Sequence, residues 1–221
     1  MNKIEAACQR KGRDPGTIIL VGVTKFADIA QIKEAIGLGV THVAENKVQE
    51  ARKKFLSLKD SPVKVTKHMI GHLQTNKVKQ ALEIFNCIQS LDSLKLALAL
   101  EGQAAKINKH IDVFVQVNTA GEKQKHGIAP SELLPLIGKI IKLERVHLQG
   151  LMTMAPLTKD EAVIRQCFRD LRLLGEQATS QFSRDGLEIK YLSMGMTDDY
   201  EIALEEGSNM VRIGRAIFSG Q

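Results

Sequence analysis

Lys25 is the residue whose position first suggests covalent chemistry. It lies two residues beyond an apolar run, residues 18–23, that is typical of a buried strand. Apolar surroundings disfavour an ammonium relative to the free amine, and a free amine is the nucleophile that Schiff-base formation requires. A lysine at a strand end can also simply extend its charge into solvent, and its position alone favours that simpler interpretation. The choice therefore depends on the residues around it.

Two segments near the C-terminus have the composition of a phosphate site. Ser193-Met-Gly-Met-Thr197 ends one predicted strand and opens a helix, and Arg212-Ile-Gly-Arg215 ends the next strand. Glycine lets backbone amides approach a phosphate, serine supplies a hydroxyl, and a helix N-terminus favours negative charge. Each segment alone is equally well explained as an ordinary turn. Together they favour a phosphate site after the last two strands, where parallel barrels commonly hold phosphate groups.

These residues require a scaffold that brings strand ends together. Short apolar runs alternate with longer helical segments along the chain, which is typical of βα units around a parallel sheet. The predicted strands are residues 18–23, 41–43, 68–70, 87–89, 112–117, 147–151, 187–192 and 210–213. Since no linker interrupts them, we expect one α/β domain over residues 1–221, a single (β/α)8 TIM-like barrel with its site at the carboxyl ends of the strands.

Composition agrees with a barrel and argues against other classes. Hydrophobic residues make up 43% of the 221 residues and aromatic residues only 4%, so the core must be mainly aliphatic, as in parallel sheets covered by helices. The net charge of +6 would suit a nucleic acid, but the basic residues are dispersed among acidic ones and are not interleaved with aromatics. We therefore expect no specific nucleic-acid binding.

Cysteine usage and hydropathy suggest an intracellular protein. Cys8, Cys87 and Cys167 are odd in number and far apart, so neither a disulfide framework nor a zinc site is expected, and no residue is assigned to a metal. The N-terminus lacks the apolar segment of a secretory signal, and no stretch is long and uncharged enough to span a membrane. We expect a cytoplasmic protein without membrane contact.

Several segments, in order along the chain, carry a resemblance to a known family. They are Val21-Gly-Val-Thr-Lys25, Glu45-Asn46, Ile70-Gly-His-Leu-Gln-Thr-Asn-Lys77, Gly150-Leu-Met-Thr-Met-Ala-Pro156, Leu192-Ser-Met-Gly-Met-Thr-Asp-Asp199 and Met210-Val-Arg-Ile-Gly-Arg-Ala-Ile-Phe218. Over nearly the whole chain the sequence resembles the pyridoxal phosphate homeostasis protein family, which is related to the alanine racemase barrel, fold type III among pyridoxal 5′-phosphate (PLP) proteins. The resemblance implies a protein of PLP (vitamin B6) homeostasis that holds PLP as a Schiff base without evident catalysis.

The resemblance also implies a cofactor site, formed by Lys25, Asn46, Ser193, Met194, Gly195, Arg212, Gly214 and Arg215. Lys25 is the Schiff-base lysine, Ser193 with the backbone of Gly214 and Arg215 holds the phosphate, and Arg212 faces the pyridine nitrogen. The other three line the ring. An arginine beside that nitrogen disfavours its protonation because two cations repel, and an unprotonated ring is a poor electron sink.

Three positions depart from the family's usual pattern. Ala44 replaces a glycine before Glu-Asn, and Lys67 replaces an aromatic residue before a histidine. Arg215 stands where a small hydroxyl residue often follows the glycine, and only this departure touches the site. It removes a possible hydroxyl bond to phosphate but adds a charge that can bind it.

The alternative function is a PLP-dependent amino-acid racemase. Such an enzyme needs a second acid or base, which alanine racemases take from a tyrosine on an additional β domain of a partner chain, and no such domain is evident here. Tyr191 is predicted in the core and Tyr200 at the surface. His72 and His126 remain as candidate bases, although loop histidines are more often solvent-exposed or hydrogen-bonding residues.

The remaining expectations concern the 121–127 loop and the partners. This polar, glycine-bounded loop, which contains His126, is interpreted as either a lid over the cofactor or a solvated turn. A protein-binding scaffold is a third functional class, but nothing in the sequence marks a large exposed apolar patch. The expected partners are PLP and PLP-dependent apoenzymes, and without the racemase partner domain we expect a monomer.

Overall fold

Eight parallel strands close into a barrel in chain order. The computed structural model describes residues 2–58, 63–122 and 124–218. The strands are β1 (Ile19–Val23), β2 (His42–Glu45), β3 (Thr66–Met69), β4 (Cys87–Leu91), β5 (Ile111–Gln116), β6 (Val146–Met152), β7 (Tyr191–Ser193) and β8 (Met210–Ile213). Pairing of β8 with β1 completes the ring. The predicted (β/α)8 barrel is confirmed.

Helices surround the barrel and connect the strands. They are α1 (Asn2–Gln9), α2 (Ile29–Gly37), α3 (Val48–Phe55), α4 (Val78–Ile84), α5 (Leu94–Lys106), α6 (Leu133–Ile140), α7 (Glu161–Gln181), α8 (Tyr200–Glu205) and α9 (Arg215–Phe218). Asp28 begins α2 with a capping box to Gln31, as a short acidic side chain before a helix predicts. Among the described residues, no helix is long and apolar enough to cross a membrane.

The apolar core has two main layers because successive strand residues face opposite sides. The inward layer inside the barrel contains Val21, Ala44, Cys87, Phe114, Met152 and Met210. The outward layer packs the strands against the helices and includes Val43, Ile88, Val113 and Leu151. The alternation also determines which residues beyond each strand point into the mouth at the carboxyl end. The three cysteines are buried free thiols, as expected.

The seventh strand is shorter than predicted. The sequence predicts a strand over residues 187–192, whereas β7 covers only Tyr191–Ser193. The preceding residues lie along α7, where the backbone amide of Ile189 donates to Thr179 Oγ1 at 3.1 Å. That side-chain acceptor replaces a neighbouring strand, so the apolar residues Leu187 and Ile189 cover the core without joining the sheet.

Candidate cofactor-binding site

Polar side chains continue the inward-facing rows at the carboxyl end of the barrel. Lys25 follows inward-facing Val23, Asn46 follows Ala44, and Arg212 follows Met210, each at a spacing of two residues. Because β1 pairs with both β2 and β8, these three residues lie at or just beyond the ends of adjacent strands. The structure therefore brings Lys25, Asn46 and Arg212 to one side of the mouth.

Arg212 carries a buried positive charge that the surrounding protein leaves largely uncompensated. Its side chain donates to Ser193 Oγ at 2.8 Å and to the Thr153 carbonyl at 2.7 Å. Both acceptors are neutral, and within the described chain no carboxylate pairs with this guanidinium. Burial lowers the pKa of Arg212 to about 10, and the charge of Asp199 opposes that shift. The group therefore remains a cation at neutral pH, and a ligand with an acceptor would stabilise it.

A buried chain of hydrogen bonds extends from Arg212 across the barrel. Ser193 Oγ donates to Gln89 Oε1 at 2.7 Å, and Gln89 Nε2 lies 3.0 Å from His68 Nδ1. His68 Nε2 in turn lies 2.9 Å from His42 Nδ1. Burial lowers the pKa of His68 to about 3, and the charge of His42 adds to the effect. His68 is thus neutral, and we assign its proton to Nε2 because Nδ1 must accept from Gln89.

Sequence reasoning missed Gln89 and His68 as part of this site. The signal was available, because both residues occupy inward-facing positions, Gln89 between Cys87 and Leu91. Polar residues on an inward row of a barrel must find partners within it. What the sequence does not contain is the cross-barrel distance that makes Ser193 the partner of Gln89.

Ser193 and Met194 face opposite sides of β7. The Ser193 hydroxyl points inward and already bonds Gln89 and Arg212, so its bond to a phosphate would require reorientation. Met194 is fully buried in the outer core layer. That Met194 lines the cofactor ring stays a prediction, and its backbone would have to make the contact because strand alternation turns its side chain into the outer layer.

Gly195 allows the segment after β7 to pack tightly against α8. Its φ is +97°, and a Cβ there would lie 2.7 Å from Ala203 Cβ and 2.9 Å from Tyr200 Cα. Its carbonyl accepts the backbone N–H of Arg212 at 2.9 Å. A side chain at this position would therefore disturb both α8 and the connection to β8.

Gly214 and Arg215 lie at the end of β8, next to β1. A Cβ at Gly214 would lie 3.2 Å from the carbonyl oxygen of Val23. The Gly214 backbone is therefore in contact with the residue two positions before Lys25 in the sequence. Arg215 opens α9, where the first backbone amides have no partner within the helix. Its guanidinium pairs with Asp198 at the exposed rim. Arg215 thus joins the segments after β7 and β8 that the sequence singled out as a phosphate site.

Lys25 itself is exposed, in contrast to the apolar surroundings expected from its sequence position. Its Nζ lies 4.9 Å from the centroid of the Phe26 ring. The backbone before it is well anchored, because Thr24 Oγ1 bonds the Ala44 carbonyl and Glu45 Oε1. The end of β1 is therefore fixed while the lysine side chain beyond it is exposed.

The opposite side of the mouth carries His72 and His126, the candidate bases of the racemase interpretation. Their rings stack with centroids 4.5 Å apart, and His72 Nδ1 lies 3.0 Å from Asp92 Oδ2. The 121–127 loop is held by a bond from Gln116 Nε2 to the His126 carbonyl, and Lys123 lies outside the described residues. These groups follow β3, β4 and β5, across the barrel from Arg212.

Neither tyrosine lies where a second base would be needed. Tyr191 faces the barrel interior and stacks on Phe114 with ring centroids 5.8 Å apart, as the core prediction requires. Tyr200 is half-buried and packs on the apolar cluster between α1 and α8, rather than at the surface as predicted. Its ring is turned toward the N-terminal helix, where it adds to the packing of the outer shell.

Comparison with known proteins settles the family. Residues 19–221 match the family model described as "Alanine racemase, N-terminal domain". A pyridoxal phosphate homeostasis protein of Aquifex aeolicus is 37% identical over 218 residues, which cover 99% of this chain and 93% of that protein. The chain belongs to the pyridoxal phosphate homeostasis protein family. It matches members of this family over nearly their full length.

Solved structures agree with this family and with the wider fold. PipY of Synechococcus elongatus, solved with PLP bound, superposes with a TM-score of 0.85 at 31% identity and covers 98% of this chain and 100% of that one. An alanine racemase of Clostridium difficile superposes with a TM-score of 0.73 at 17% identity, over 100% of this chain but 55% of the racemase. The racemase comparison shows the shared barrel only. Pyridoxal phosphate homeostasis proteins thus share this fold with alanine racemases.

Proposed function

We propose that this protein binds PLP and acts in PLP homeostasis, holding PLP as a Schiff base on Lys25 without turning over a substrate. Two comparisons support the proposal: the name of the Aquifex relative, and the bound PLP in PipY. The observation that carries it is Arg212, a buried cation with neutral partners only, at the carboxyl end of the strand beside that of Lys25.

The residues at the mouth fit PLP by their chemistry. Bound PLP supplies an aldehyde for a Schiff base and a ring that can accept electrons. Lys25 supplies the amine, and Arg212 supplies N–H donors for the unprotonated ring nitrogen. Backbone amides at Gly214 and Arg215 would hold the phosphate, and the Arg215 guanidinium, which pairs with Asp198 in its absence, would supply a further positive charge. Asn46, Gly195 and the Ser193 hydroxyl complete the enclosure.

Arg212 also supports the proposed lack of catalysis. A permanent cation beside the ring nitrogen disfavours ring protonation and so weakens the electron sink that carbanion chemistry uses. The racemase alternative rests on His72, which Asp92 orients as it would a base. Racemisation does not strictly need ring protonation, so the histidines have to be tested directly.

The test incubates the PLP-loaded protein with a panel of L- and D-amino acids. We expect neither inversion at Cα nor exchange of the α-proton in D2O above the rate of free PLP. The Lys25→Ala variant serves as the control for chemistry by loosely bound cofactor. Turnover of roughly one per second or faster would overturn the proposal. Loss of that turnover in His72→Gln or His126→Gln would then identify the base.

The proposed setting is a cytoplasmic monomer that delivers PLP to apoenzymes. Three buried free thiols suit a reducing compartment. Delivery is tested with a PLP-dependent apoenzyme placed either with the loaded protein or across a dialysis membrane. Direct transfer predicts faster activation in the shared compartment, whereas equal rates after correction for diffusion would mean release of free PLP.

A further inference from the structure

Three side chains at the barrel mouth have the donor set of a metal site. His72, Asp92 and His126 each offer one ligand atom, and these atoms all lie within 4.8 Å of one another. They follow β3, β4 and β5, so they lie across the mouth from Arg212, and the first of them is close to Asn46 after β2. The proposed PLP site uses none of them.

One of the three spacings between ligand atoms is close to that around a coordinated ion, and the others are within 4.8 Å. His72 Nδ1 lies 3.0 Å from Asp92 Oδ2, and the two imidazole rings are nearly parallel, with 11° between their planes. Ligand atoms around a tetrahedral zinc ion lie roughly 3.3 Å apart, given bond lengths of about 2.0 Å. The in-plane nitrogen lone pairs of parallel rings cannot converge on one ion, so binding requires the two rings to rotate out of this stack. Both histidines are exposed, which leaves room for that rotation.

The backbone under each ligand is held in place. Gly71, just before His72, is so close to the Asn46 carbonyl oxygen that a Cβ would lie 2.1 Å from it, and its own carbonyl accepts from Ser90 Oγ at 2.6 Å. Asp92 follows β4 directly. Gln116 holds the His126 carbonyl at 3.0 Å. The three ligands therefore meet with little loss of backbone freedom on binding.

We propose that His72, Asp92 and His126 bind a divalent transition-metal ion, with zinc favoured. Two imidazoles and one carboxylate suit zinc and its neighbours, whereas magnesium and calcium prefer oxygen ligands throughout. Three protein ligands leave a fourth position for water or another ligand. A bound ion joins His126 to the residues that follow β3 and β4 and so fixes one wall of the mouth.

The test is a calorimetric titration of the full chain with Zn²⁺, repeated with Mg²⁺. We expect one Zn²⁺ per chain for the unmodified protein and no site for Mg²⁺. The His126→Gln and Asp92→Asn variants should weaken Zn²⁺ binding by more than about 100-fold, since even lost second-shell partners cost roughly 10–100-fold. Circular dichroism establishes that each variant is folded.

A matched control is the histidine pair at the other end of the barrel, where His110 Nδ1 lies 3.2 Å from His147 Nε2. The His147→Gln variant should bind Zn²⁺ like the unmodified protein. The His126→Cys variant should also retain binding, because a thiolate can replace imidazole as a zinc ligand. Absence of Zn²⁺ binding in the unmodified protein, or its loss in His147→Gln but not in His126→Gln, would overturn the proposal.

Discussion

At the scale of single residues, the direction of the buried hydrogen bonds determines where charge can exist. Arg212 donates to Ser193, Ser193 donates to Gln89, and Gln89 donates to His68. A proton on His68 Nδ1 would face the amide donors of Gln89. This series of hydrogen bonds thus has a cation, Arg212, at one end and a neutral imidazole, His68, at the other. Its positive charge is therefore concentrated at the proposed PLP site.

The lowered pKa of His68 predicts a stability that depends on pH. In the folded protein this pKa is about 3, below the ordinary value of 6.5, so the unfolded chain binds more protons between these values. Stability must therefore fall as pH falls from about 6.5, by up to about 1.4 kcal/mol per pH unit.

Urea unfolding at pH 7.5 and 5.5 tests this role of His68. The difference in unfolding free energy between the two pH values should be smaller for His68→Gln than for the unmodified protein. The exposed His147→Gln variant should behave like the unmodified protein, and equal differences for His68→Gln and the unmodified protein would rule out this role.

At the scale of elements, the segment between β7 and α8 tolerates only glycine at position 195. Gly195→Ala combines a positive φ with a contact of 2.7 Å to Ala203, and we expect a loss of roughly 1–3 kcal/mol of stability together with weaker PLP retention. Gly102→Ala provides the control, because it lies exposed on α5 with nothing within 4 Å. That variant should gain about 0.5–1 kcal/mol. Denaturant unfolding of both variants tests the prediction, and an unchanged stability of Gly195→Ala would contradict it.

The elements also show what a sequence can and cannot reveal. Alternation of apolar runs and helical segments is enough to predict the barrel. The predicted start of β7 is wrong because the backbone N–H of Ile189 donates to the Thr179 side chain of the preceding helix instead of to a neighbouring strand. Strand alternation predicts the outward orientation of the Met194 side chain, which the resemblance to a family does not. The exposure of Lys25 depends on the turn after β1, which apolar patterning does not describe.

At the scale of the whole molecule, the outer layers couple distant parts of the chain. One buried apolar cluster includes residues from Ala27, just before α2, through to Phe218 in α9. At the N-terminus, α1 packs on α8 and β8, and Arg10 and Arg165 both pair with Glu205. We therefore propose that residues 1–221 form one domain that unfolds as a unit.

The single domain predicts one cooperative unfolding transition. The monomer of the proposed function is a separate expectation and is tested separately. Thermal unfolding followed by circular dichroism and by calorimetry should give coincident curves with a single midpoint, because the shared core cannot be lost in parts. Light scattering after size-exclusion chromatography should give a mass near 24.4 kDa. Two separate transitions would contradict the single domain, and a concentration-independent mass of twice this value would contradict the monomer.

The most direct test of the account is borohydride reduction of the PLP-loaded protein, followed by peptide mapping. We expect an absorption band in the visible region that reduction removes, and one stable PLP adduct on the peptide that contains Lys25. Lys25→Ala should lose the band, although some unreduced PLP can remain bound through the phosphate site. Mapping of the adduct to another lysine in the unmodified protein, with Lys25 free, would contradict the central claim.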